Sequence, residues 1–126
     1  MSKMKFFIVI SFNLFLLLSC SSSDELTDQE IFGGLFTGKI SYSDSQVQYN
    51  YEDAVLTVEK TGLGWHFIFP DEIPDLDNIE LISDDGGRVL MNPEPSENRL
   101  IRLTARTIQI VYSDSLHNWN VNAVKN

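Results

Sequence analysis

The chain of 126 residues is poor in the side chains that usually carry chemistry. It has one cysteine and two histidines. A single thiol closes no internal disulfide, and a zinc site built on His66 or His117 would have to draft carboxylates. Nine Lys and Arg against 18 Asp and Glu give a net charge of −9. That balance leaves no basic stripe for nucleic acid or for anionic lipid headgroups. Arg99, Arg102 and Arg106 do fall close together, but on an acidic chain ion pairing accounts for them. No Gly-x-Ser-x-Gly elbow occurs, and the serines sit in turn-like stretches where Ser serves the backbone. Nucleophilic catalysis needs such a residue beside an oriented base. The expectation is a non-enzyme with no cofactor and no nucleic-acid partner.

Long apolar runs are also scarce. The one present, Phe6 to Leu18, is roughly a dozen residues, short of the ~20 that a membrane-spanning helix needs. Lys3 and Lys5 precede it and Ser19-Cys20 follows, the order of a charged segment, an apolar segment and a processing site. Leu17-Leu18-Ser19-Cys20 resembles the lipobox of bacterial lipoproteins. The resemblance implies cleavage before Cys20, a diacylglycerol on its thiol and a further acyl chain on its amine. Two such chains are enough for stable anchoring. Ser21 to Glu30 is polar and acidic and reads as a flexible tether. Its Asp24-Glu25 pair resembles the export signal of Bacteroidota surface lipoproteins, which implies the outer face of the outer membrane, with a periplasm-facing anchor as the alternative. Ser21 is not aspartate, so the usual inner-membrane retention mark is absent. The chain thus divides into a signal peptide (1–19), a lipidated Cys20 with its tether (20–32) and one β domain (33–126). Loss of Lys3 and Lys5 with the signal leaves seven basic residues against 18 acidic ones.

Beyond the tether the apolar residues recur with period two, the mark of half-buried strands. Phe36, Ile40 and Tyr42 share one face, and Ser43-Asp44-Ser45 turns the chain. Val47, Tyr49 and Tyr51 follow, and Glu52-Asp53 breaks the alternation as a turn or a bulge. Leu56 and Val58 lead into Lys60-Thr61-Gly62-Leu63-Gly64, a hairpin whose glycines supply positive φ. Its return strand carries Trp65, Phe67 and Phe69 inward, and Pro70 ends it. Ile79, Leu81 and then Val89, Met91 read as two short strands around Ser83-Asp84-Asp85-Gly86-Gly87. Inward residues are odd at Ile101 and Leu103 but even at Ile108 and Ile110, which requires a break near Arg106. Trp119, Val121 and Ala123 mark a last strand able to pair with the first. About eight strands in up-and-down order predict an all-β fold, a small antiparallel meander closing into a lipocalin-like barrel, with a two-layer sandwich as the alternative. The likeness to lipocalins is one of general plan only, since Gly64-Trp65 lies mid-chain.

Two groups of residues stand out as candidate sites. Tyr49, Tyr51, Trp65, Phe67 and Trp119 could line a pocket for an apolar or aromatic ligand, or simply fill the narrow interior of an eight-stranded barrel. Asp71, Asp75 and Asp77, with Glu72 and Glu80 nearby, could offer oxygens to Ca2+, although the spacing of a calcium loop is missing. The functional expectation is a binding module that meets a protein partner through the loops Pro70 to Asn78 and Asn92 to Asn98. A carrier of a small apolar ligand is the alternative.

Overall fold

The computed structural model describes residues 27–126. The expected signal peptide, Cys20 and most of the tether lie outside the described residues. From there the chain makes a short helix α1 (Asp28–Phe32) and nine strands: β1 (Gly34–Ser43), β2 (Gln48–Thr61), β3 (Gly64–Ile68), β4 (Leu76–Ile79), β5 (Ile82–Asp84), β6 (Val89–Met91), β7 (Arg99–Thr104), β8 (Thr107–Ser113) and β9 (Asn118–Lys125). They form one antiparallel sheet in the order β4-β3-β2-β1-β9-β8-β7-β6-β5, curled into a half-barrel. The expected meander is there, and as one sheet rather than two layers. The first and last strands do pair, with Tyr42 opposite Trp119 and Ile40 opposite Val121. The sheet's two free edges are β4 and β5, which follow one another in the chain without pairing. The seam of the half-barrel therefore lies mid-chain.

Alternation places the core on the concave side. Phe36, Ile40, Leu56, Val58, Phe67, Ile101, Leu103 and Ile110 are fully buried, and Trp65, Phe69, Ile108, Trp119, Val121 and Ala123 complete the same cluster. The outward positions of β9 are Asn118, Asn120, Asn122 and Val124, all exposed. Glu52-Asp53 proves to be a bulge, since Gly38 faces Ala54 but Ile40 faces Tyr51 across one continuous β2. Gly38 also lets β1 approach β9 closely: a Cβ there would sit 2.4 Å from the Asn122 carbonyl oxygen and 2.6 Å from Ala123 Cα. The parity switch resolves as the hairpin between β7 and β8, with the Thr104 hydroxyl accepting from the amides of Arg106 and Thr107.

Two local expectations differ from what forms. Ile79 and Leu81 do not share a strand: Ile79 ends β4 opposite Trp65, whereas Ile82 begins β5 opposite Met91. These residues serve opposite edges of the sheet, and the alternation that links them in sequence crosses the seam. Of the hairpin glycines only Gly64 has positive φ, at 148°, and it packs against the Ile79 carbonyl oxygen. The end of the expected tether is docked. Thr27 caps α1 by accepting from the Glu30 amide, Phe32 is buried, and Lys125 Nζ donates to the Ile31 carbonyl at 3.0 Å. Asp28 pairs with Lys60 at 3.1 Å. Among the described residues no helix is long and apolar enough to cross a membrane.

Candidate functional site

One rung of the sheet collects most of the polar aromatic side chains. Tyr49 on β2, Tyr42 on β1, Trp119 on β9, Tyr112 on β8 and Arg99 on β7 stand opposite one another in sequence of strands. Ring centroids are 6.4 Å apart for Tyr42–Tyr49, 5.4 Å for Tyr42–Trp119 and 5.8 Å for Tyr112–Trp119, and the Arg99 guanidinium lies 5.0 Å from the Tyr112 ring. Cross-strand aromatic pairs of this kind each add a few tenths to ~1 kcal/mol beyond burial. Tyr51 extends the row, 6.4 Å from Tyr49 with the ring planes nearly parallel at 9°.

The rung is built twice over from one local pattern. Residues 37–50 and 107–120 align without gaps, and both contain Tyr-Ser-Asp-Ser followed by two free positions, an amide residue, an aromatic residue and Asn. Both copies fold into the same hairpin. The Asp44 amide donates to Val47 O and the Asp114 amide to His117 O, each at 3.0 Å. Each aspartate side chain accepts from the two amides that close its own turn. Those amides hold the Asp44 carboxyl below its ordinary range. The Tyr42 hydroxyl donates to Asp44 at 3.0 Å and also meets His117 Nδ1. With its one proton on Asp44, it accepts from an Nδ1–H tautomer of His117. Burial first, then the Asp44 bond and charge, pushes the Tyr42 phenol up to about 12.

The acidic segment after β3 closes the mouth above this rung. Ile73 is 3 % exposed and inserts into the core, with Phe69 and Leu76 beside it. Trp119 Nε1 donates to the Pro74 carbonyl at 3.0 Å, Tyr49 to Glu72 at 2.8 Å and Tyr51 to Asp71 at 3.0 Å. The bonds to carboxylates raise both phenol pKa values. Asp75 turns inward to accept from the Phe69 amide at 3.0 Å. Pro70 to Asn78, expected as a loop throughout, is instead anchored as a plug by its apolar residues, and Leu76 to Ile79 join the sheet as β4. Asn92 to Asn98 is likewise anchored, through Asn92, the buried polar residue among those described. Asn92 Oδ1 accepts from the Ile101 amide at 2.8 Å, and its Nδ2 donates to the Arg99 carbonyl at 3.0 Å.

Of the five residues expected to line a pocket, Trp65, Phe67 and Trp119 belong to the buried core, and Tyr49 and Tyr51 hold the plug. Asp71, Asp75 and Asp77 are not brought to one point. Asp71 serves Tyr51, while Asp77 and Asp75 both approach His66 Nε2, at 2.7 and 3.4 Å. Among the described residues no group of three or more His, Cys, Asp or Glu is arranged to hold a metal ion. Sequence reasoning passed over Ile73 and the twofold use of Tyr-Ser-Asp-Ser, although the repeat is visible by direct alignment of the chain with itself. No known protein family, curated protein or solved structure matches the chain.

Proposed function

We propose that the protein is a lipid-anchored component of a bacterial cell envelope whose β domain binds a partner from its rim and outer surface and catalyses no reaction. The lipobox-like Leu17-Leu18-Ser19-Cys20 supports the anchor, with the outer face of the outer membrane as its place and a protein as its partner. One observation carries the choice of surface over interior. Ile73 and the ring of Trp119 occupy the mouth that a carried ligand would have to enter. A carrier of an apolar molecule needs an open cavity of a few hundred Å3, and the five aromatic candidates are instead spent on packing and on holding the plug.

The reading makes two measurable demands. Cys20→Ser, expressed with the rest of the chain intact, moves from the membrane fraction to the soluble fraction; retention in the membrane overturns the anchor. A native mass spectrum of that variant shows the bare polypeptide. Extra mass that is shed on denaturation overturns the filled-interior reading in favour of a carrier and identifies the class of molecule carried.

A further inference from the structure

At its Arg99 end the aromatic rung reaches the seam and borders a recess there. The end of β4 faces the β6–β7 loop and the first residue of β7 across a recess of about 280 Å3, open to solvent. The strands on its two sides belong to opposite halves of the sheet and share no hydrogen-bonded ladder. Into this recess come one cation, Arg99, and two carboxylates, Glu80 and Glu94. Among the described residues none of the three has a salt-bridge partner. Arg99 is held in place all the same: its Nε donates to Ser113 O at 3.4 Å and its guanidinium rests over Tyr112. That leaves the outer fork of the guanidinium for a ligand.

The surroundings are pre-organised. Asn92, at the floor of the recess, bonds the backbone of both Arg99 and Ile101. Asn78 and Glu94, on opposite walls, have φ of 56° and 55°. An L-residue other than Asn or Asp is uncommon in that left-handed region, so the Glu94 backbone is held there by its surroundings.

The charges decide what fits. A multiply charged anion would meet Glu80 and Glu94, and a simple cation would meet Arg99. A molecule that carries both signs a few ångströms apart satisfies all three groups. We infer that the seam recess is a binding site for a small zwitterion of the α-amino acid class, its carboxylate on the Arg99 fork and its ammonium between Glu80 and Glu94. Arginine is suited to the first task because its planar fork matches a carboxylate with two parallel bonds. Tyr112 and Ile79 supply the apolar wall for the side chain. The recess lies just below the ~300–1,000 Å3 of drug-sized sites, the scale of a single amino acid rather than a peptide. The inference rests on the reading that recognition takes place outside the filled core.

The test is calorimetric titration of the full-length Cys20→Ser protein with free glycine, leucine, phenylalanine, glutamate and lysine. N-acetylated and carboxamide forms of the same amino acids serve as controls. Expected is saturable one-site binding of at least one free amino acid. Blocking either end weakens it by about tenfold or more, and Arg99→Gln and Glu94→Gln each do the same while keeping the cooperative unfolding transition of the folded domain. All three groups are exposed, so the variants fold. No saturable binding by any of the five, equal binding of the blocked forms, or unchanged binding by Arg99→Gln each overturns the site. If the native spectrum meanwhile shows the bare chain, surface recognition stands and only this site falls. A shed mass that persists in Arg99→Gln, and so is not held at the seam, overturns surface recognition itself.

Discussion

The two sides of the half-barrel are built to different standards. Around the pairing of β1 with β9 the strands are long: β1 has 10 residues, β2 14 and β9 8. Phe36 and Ile40 on β1, Leu56 and Val58 on β2 and Val121 on β9 are buried to 1 % exposure or less, and twin hairpins align an aromatic rung across these strands. At the seam, β4 has 4 residues and β5 and β6 have 3 each. Every residue of β5 is exposed there, Ile82 at 49 %. Among the described residues Glu80, Glu94 and Arg99 have no salt-bridge partner, and left-handed backbone occurs at Asn78, Asp85 and Glu94. Burial is what stabilises a domain without a disulfide, at ~25 cal/mol per Å2 of apolar surface. The β1–β9 side supplies that burial, which leaves the seam free to be polar and irregular. Short, charged edges also guard the two free strands against pairing with other chains.

That contrast breaks most visibly at the core. Phe36→Ala on β1 is expected to cost ~3–5 kcal/mol, because a ring is deleted from a close-packed site. Ile82→Ala on β5 should stay within ~0.5 kcal/mol. Urea unfolding of both variants checks the pair, and a similar loss for each would end the distinction. The plug ranks next. Ile73→Ala is expected to lose ~2–3 kcal/mol, toward the lower end for a buried aliphatic, since it packs at the mouth. It should also raise the exposure of Trp119, read from its fluorescence, while Leu63→Ala at the exposed β2–β3 tip does neither.

Gly38→Ala probes the tight approach of β1 to β9. The added methyl meets backbone rather than a movable side chain, so a loss of ~1–3 kcal/mol is expected, as for other overpacked sites. Gly86, with open space around it, is the seam-side counterpart, although its φ of 65° itself disfavours a substitution. The smallest effect concerns pH. The folded state favours the protonated Tyr42 phenol, so its contribution to stability is complete below pH 10. It is lost as pH rises toward about 12. Tyr42→Phe should flatten this alkaline limb and remove the latest step from the ultraviolet titration of the tyrosines.

The sequence carried the β1–β9 side well because burial there follows alternation with little interruption. Phe36, Ile40 and Tyr42, then Trp119, Val121 and Ala123, point inward as their spacing requires, and the parity switch near Arg106 located the β7–β8 hairpin. The seam was less legible for a physical reason. Its residues answer to partners far away in sequence: Ile79 to Trp65, Leu76 to Phe67, Ile73 to the core below it. A loop rich in Asp, Glu and Pro reads as solvated, and nothing local says that one isoleucine within it will be drawn into the barrel mouth. Arg99 reads as one more ion-paired surface residue until the fold sets it over Tyr112 and opposite Glu80.

Native-state hydrogen exchange measured residue by residue tests the division of labour most directly. Amides of β1, β8 and β9 are predicted to exchange only through global unfolding. Those of β4 and β5 should exchange faster, through local opening at the seam, by about tenfold for every 1.4 kcal/mol of difference. Equal protection at the seam and at the β1–β9 junction would contradict the account.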